Sequence, residues 1–249
     1  MPRHEFRPIL VKADTPHGVV LSRPWGIALD GLLSSVIWHE RKFAARAAGL
    51  PWERFSPTRA PEELPLPLQR CGDPATDPDW HWMCTFGQTE TGTIERPDTR
   101  WRTSRTDHTR LQQLSPVISH SRVSDRRGRY QNRVIPVLVH QTLSLTWRAV
   151  GDPDRVRELL EELPAIGKYT GTGEGVVARW TVDDADHLTG WSAGHEHAPG
   201  ILGRATPGRC LEHRDAPADL GEQHPVRVTA VRAPYLHPST QHEAFLPHH

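Results

Sequence analysis

Apolar residues along this 249-residue chain recur with two different periods, and the period changes at glycines and prolines. In "RVRELLEELPAIGKYTGTGEGVVARWTV", residues 155–182, Val156, Leu159, Leu160 and Leu163 recur at i, i+3, i+4 and i+7. Asp152 precedes them as an N-cap and Pro153 as a first-turn residue, which predicts an amphipathic helix. Further on, Val176, Ala178, Trp180 and Val182 alternate with Val177, Arg179 and Thr181, the period-two pattern of a half-buried strand. Gly167, Gly171, Gly173 and Gly175 fill the interval, so a bare loop runs from helix to strand.

The same reading covers the rest of the chain. "EFRPILVKADTPHG" predicts a strand, and the next segment a helix through Leu29, Leu32, Leu33, Val36, Ile37, Phe43 and Ala47, ended by Gly49. Residues 50–79 are proline-rich and aperiodic, "WHWMCTFGQTE" at 80–90 predicts a strand, and "VIPVLVHQTLSLTWRAVGD" alternates, with Leu143, Leu145, Trp147 and Ala149 on one face and Thr142, Ser144, Thr146 and Arg148 on the other. The order is βα, a middle strand region, then βαβ. It predicts an α+β chain with a ferredoxin-like (split βαβ) core, the fold shared by RNA-recognition modules. The core spans 1–190, a basic insertion occupies about 92–133, and an aperiodic extension, 191–249, packs on the core and ends with a strand near "PVRVTAVRAPY".

Charge changes this picture locally. Net charge is zero, yet residues 96–133 carry ten arginines against Asp98, Asp107 and Asp125, a local charge of +7. Interleaved with Trp101, His108 and Tyr130, they have the make-up of an arm for phosphate contact and base stacking. The glycine loop lies in the wrong order for a nucleotide site. P-loops and dinucleotide fingerprints lead from strand into helix, and "GKYT" lacks the hydroxyl residue directly after the lysine. No cofactor is expected.

Cys71, Cys84 and Cys210 share no short spacing and leave an odd count, which predicts reduced thiols and neither disulfide framework nor metal site. "HEH" at 195–197 offers two imidazoles to a metal, but nine of the 16 histidines follow residue 186 in a polar tail and are expected to be solvated, as are Asp183, Asp184 and Asp186. With no apolar run of about 18 residues and no apolar N-terminal region, a soluble cytoplasmic protein without a membrane partner is expected.

The helix leading into "AIGKYTGTGEGVV" and a strand resembles the glycine-rich-loop signature of the RAMP superfamily of CRISPR-associated proteins. "ALDGLLSSVIWHE" and "RAPYLHP" are similar to segments of the type IV subunit that caps the 5′ handle of the guide RNA. The resemblance covers residues 5–50 and 138–182 well and the tail loosely. It implies a non-catalytic, RNA-binding subunit of a ribonucleoprotein effector complex in antiviral defence, whose partners are the guide RNA (crRNA), the backbone and large subunits and, indirectly, target nucleic acid. Carried over, the RNA-binding residues are Gly167, Lys168, Tyr169, Gly171, Gly173 and Gly175 in the loop. In the thumb-like insertion they are Arg96, Arg100, Trp101, Arg102, Arg105, Arg110, Arg122, Arg126, Arg127 and Arg129. The family loop often has two basic residues after its first glycine; here Lys168 is followed by Tyr169, and Glu174 is acidic. The alternative within the superfamily is a metal-independent guide-RNA-processing endoribonuclease with His17 or His39 as general base.

Overall fold

The structure, a computed structural model, describes residues 5–22, 26–52, 56–89, 97–104, 107, 109–110, 113, 131–213, 215–217, 220 and 224–247. In chain order the elements are β1 (Arg7–Asp14), α1 (Leu29–Ala47), β2 (Arg70–Cys71), β3 (His81–Trp82), β4 (Gln88–Thr89), β5 (Asp98–Ser104), β6 (Arg133–Val139), β7 (Ser144–Gly151) and α2 (Pro153–Glu161). There follow β8 (Arg179–Asp184), α3 (Gly190–His195), β9 (Glu196–Ala198), β10 (Ile201–Leu202), α4 (Gly208–Leu211), β11 (Val226–Ala230) and β12 (Gln241–Phe245).

The chain is α+β, with its strands paired antiparallel. The main sheet has the order β4-β7-β1-β8. Central β1 pairs with β7 from Arg7↔Gly151 to Asp14↔Ser144 and with β8 from Ile9↔Asp184 to Asp14↔Arg179. Its alternation sends Ile9, Val11 and Ala13 to one face, where they meet Leu29, Leu33, Val36 and Ile37 of α1 and Val156, Leu159 and Leu160 of α2 in a single core with Leu145, Trp147 and Ala149 of β7. α2 starts as its sequence predicts, the Asp152 carboxylate accepting from the N–H groups of Asp154 and Arg155 ahead of Pro153. α1 stops where expected, Gly49 taking φ 66 two residues past its end.

Two strands predicted as continuous are broken. Residues 80–90 split into β3 and β4 because 83–86 bond on two sides: Val150 donates to Met83 O and Thr85 to Arg148 O, while Phe86 donates to Gly203 O of the extension. The alternating run from 134 splits at 140–143, where Thr15 donates to Leu143 O and the chain turns. β6 therefore leaves the sheet to pair with β5 from Asp98↔Val139 to Ser104↔Arg133, so the insertion runs on to Val139, and Leu143 lies outside the strand, exposed.

The extension is more ordered than its lack of periodicity predicts. α3 packs on the second face of the main sheet, where Ala193 meets Met83 and Val150, and Trp191 clusters with Leu202 and Leu220. The fully buried Arg204 guanidinium donates to the carbonyls of Trp82, Cys84, Ala205 and Val231, joining extension to core. The expectation of solvated tail histidines fails at His195, His224 and His237, all buried. Each sits against backbone carbonyls or hydroxyls that accept or supply hydrogen bonds, and this lets an imidazole leave water.

Candidate nucleic-acid interface

The glycine loop is pinched at its base. Ile166 donates to Gly175 O at 2.8 Å, Val177 to Pro164 O at 2.9 Å, and Lys168 to Val20 O at 2.9 Å. A Cβ on Gly175, at φ 66, would run into the carbonyl oxygen of Ile166; one on Gly167, at φ 87, would lie 2.6 Å from that of Val20. These two glycines are therefore required by the fold. Gly171 and Gly173, in the outer arc, have nothing within 4 Å of where a Cβ would lie. Lys168 and Tyr169 project from the same arc, both exposed. Tyr169 sits at φ 62, the one non-glycine residue at positive φ among those described, a conformation that costs an aromatic side chain about 1–2 kcal/mol.

The β5–β6 hairpin stands against this loop. Asp98, Arg100, Arg102, Val137 and Val139 share its inner face, with Val137 and Val139 packed on Val20. Glu174, whose side chain is fully buried, accepts from Arg100 Nη1 at 2.7 Å and from Arg102 Nη2. Arg100 also donates to His17 O at 3.1 Å, which ties loop, hairpin and the 15–18 turn together. Trp101, Val134 and Leu138 lie on the opposite face of the hairpin, all more than half exposed.

The predicted residues thus separate into two groups. Gly167, Lys168, Tyr169, Gly171, Gly173, Gly175, Arg100, Trp101 and Arg102 come together at one end of the sheet, but Arg100 and Arg102 are engaged by Glu174. Arg110 is exposed, and Arg96, Arg105, Arg122, Arg126, Arg127 and Arg129 lie outside the described residues. Of the two histidines named as general bases, His17 lies exposed beside the loop, whereas His39 lies on α1, exposed and stacked on Phe43. The two segments "ALDGLL" and "RAPYLHP" meet: Tyr235 Oη donates to Asp30 Oδ1 at 2.7 Å and Ala233 N to Oδ2 at 3.2 Å. Burial pushes the Asp30 carboxyl above the usual carboxylate range, against the pull of Arg204 and these donors. The residues in these segments that pair across the fold do so to close it.

A second constellation was not legible from spacing. Cys71 and His81 are cross-strand partners in β2–β3, and His195 and Cys210 come from α3 and α4. Their four ligand-type atoms all lie within 4.8 Å of one another. The Nε2 atoms of His81 and His195 are 3.0 Å apart, the two sulfurs 3.5 Å, and Cys210 Sγ and His81 Nε2 4.0 Å. Burial and the nearby Arg204 push His81 down to about 3, and hydrogen bonding from Cys210 and the two imidazoles pushes the Cys71 thiol down. Cys71 and Cys210 are free thiols, as expected, but they stand together with two imidazoles, and His195 is not solvated. Of the "HEH" pair only His195 takes part. Each contributing segment holds one cysteine and one histidine at long spacing, so no short motif marks them.

No protein-family model matches the chain, and no curated protein matches it. Among the described residues no helix is long and apolar enough to cross a membrane.

Proposed function

We propose that this chain is a non-catalytic RNA-binding subunit of the RAMP type, holding the 5′ handle of a guide RNA within a type IV CRISPR effector complex. The observation that carries the reading is the outer arc of the glycine loop: open space where a Cβ would lie at Gly171 and Gly173, next to exposed Lys168 and a strained, exposed Tyr169. Strain held at an exposed aromatic is the signature of a contact residue, since folding alone favours glycine there. The sheet order, with two helices on one face, supports the reading of a split βαβ core. RNA-recognition modules of that fold stack bases on the open sheet face. Here α3 covers that face, which directs RNA to the loop and the hairpin. The outer hairpin face, with Trp101, Val134 and Leu138, suits the neighbouring backbone subunit.

The test is fluorescence anisotropy with a labelled single-stranded repeat RNA. Lys168→Ala/Tyr169→Ala should weaken binding about tenfold or more, since stacking on one base is worth about 1–3 kcal/mol. Affinity unchanged in that variant, or absent in the parent, refutes the reading.

One observation favours a second reading, endoribonuclease activity: His17 is exposed and joined to the loop through Arg100. A cyclic-phosphate product from repeat RNA incubated with the chain alone, lost in His17→Ala, would replace the capping role with cleavage.

A further inference from the structure

The hydrogen-bonding partners of His81 and His195 turn a ring nitrogen of each toward the other. His81 Nδ1 lies 3.1 Å from Asp79 O, and His195 Nδ1 lies 2.9 Å from Trp191 O. A carbonyl only accepts, so both Nδ1 atoms carry hydrogen. In neutral rings both Nε2 atoms are then bare lone pairs, yet they face each other at 3.0 Å with the rings at 90°. A metal ion accepts lone pairs from both rings at once. Two sulfurs 3.5 Å apart complete the group.

We propose that Cys71, His81, His195 and Cys210 bind one Zn2+ ion as a closed structural site. With zinc–sulfur bonds of about 2.3 Å and zinc–nitrogen bonds of about 2.05 Å, a tetrahedron has edges of about 3.8 Å between sulfurs, 3.3 Å between nitrogens and 3.5 Å between unlike atoms. The observed 3.5 Å and 3.0 Å lie within a few tenths of an ångström of these, and the 4.0 Å between Cys210 Sγ and His81 Nε2 within half an ångström. Four protein ligands leave no open position, as in sites that serve structure and not catalysis. A donor set of two sulfurs and two imidazole nitrogens selects zinc over the hard cations.

The outer partners are in place too. Carbonyls fix both imidazole tautomers, Trp191 stacks on His195 at 4.9 Å and donates to Cys210 O at 2.9 Å, and Arg209 Nη1 lies 3.9 Å from Cys71 Sγ, where it offsets thiolate charge. The ion would pin α3 and α4 of the extension to the β2–β3 hairpin of the core. This assignment is independent of whether the chain binds RNA.

The experiment uses the full chain, purified without a polyhistidine tag and under thiol reductant. Elemental analysis should give one zinc per chain, and Cys71→Ser or Cys210→Ser should bring it near zero, with Cys84→Ala retaining it. Stripping with chelator should lower the melting temperature, and zinc should restore it. Where the serine variants fail to fold, the parent decides. Co2+ added to stripped protein should give the visible bands of tetrahedral cobalt with sulfur-to-metal charge transfer, and Cys71 and Cys210 should resist alkylation until the metal is removed. A parent without zinc that also gives no tetrahedral cobalt spectrum overturns the proposal, as does a Cys71–Cys210 disulfide found by mass under reductant.

Discussion

Replacing Arg100 and Arg102 together by alanine strips a buried carboxylate of both its cations. The Glu174 side chain has no exposure, while those of Arg100 and Arg102 are 32% and 36% exposed. Removing one partner of a fully buried pair costs about 3–5 kcal/mol. Water reaches the guanidiniums here and screens them, so the double variant should lose about 2–3 kcal/mol. Adding Glu174→Gln to it should recover part of that loss, because the stranded charge is gone. Urea unfolding measures all three proteins. A double variant within about 0.5 kcal/mol of the parent, or a triple variant no more stable than the double, would refute the pairing. If the proposed RNA binding holds, its salt dependence gives a second readout. Arginines held by Glu174 release few counterions, so Arg100→Ala/Arg102→Ala should leave the salt slope nearly unchanged. Arg126→Ala/Arg127→Ala/Arg129→Ala should flatten it by about 2, at about 0.7 per phosphate contact on a single strand.

Gly175→Ala should destabilise by more than 2 kcal/mol, since positive φ and a collision with Ile166 O act together, whereas Gly171→Val should melt close to the parent yet bind RNA more weakly; equal melting of the two would refute the division of the loop into base and arc. Burial holds the Asp30 carboxyl above its unfolded range, so the folded state binds the proton more readily, and stability should fall as pH rises from about 4 through that raised value. Asp30→Asn should remove this part of the pH profile in parallel denaturant titrations, and an unaltered profile would refute the assignment.

Much of the core was readable because local signals and tertiary packing agree there. Val156, Leu159 and Leu160 behind the Asp152 cap are helical in sequence and in fold, and β1 and β7 carry the period-two pattern that turns one set of side chains to the core under α1 and α2. The reading failed where distant segments decide. β6 runs directly toward β7 in sequence, and bonds from the 15–19 segment to His140, Thr142 and Leu143 break the run. Arg100 and Arg102 look like free positive charge until Glu174, on another segment, claims them. Cys71, His81, His195 and Cys210 share no spacing because β2–β3 and α3–α4 bring them together across the chain.

The bond from Ala233 N to Asp30 spans 203 residues. At about 5–20 residues per second of synthesis, α1 waits on the order of 10–40 s for it. Through that interval a carboxylate destined for the interior stays hydrated, and the carbonyls of Trp82 and Cys84 wait for Arg204. Interrupted translation therefore yields an open, adhesive intermediate and not a smaller folded unit, and the native fold is complete only when residues well past 200 have left the ribosome.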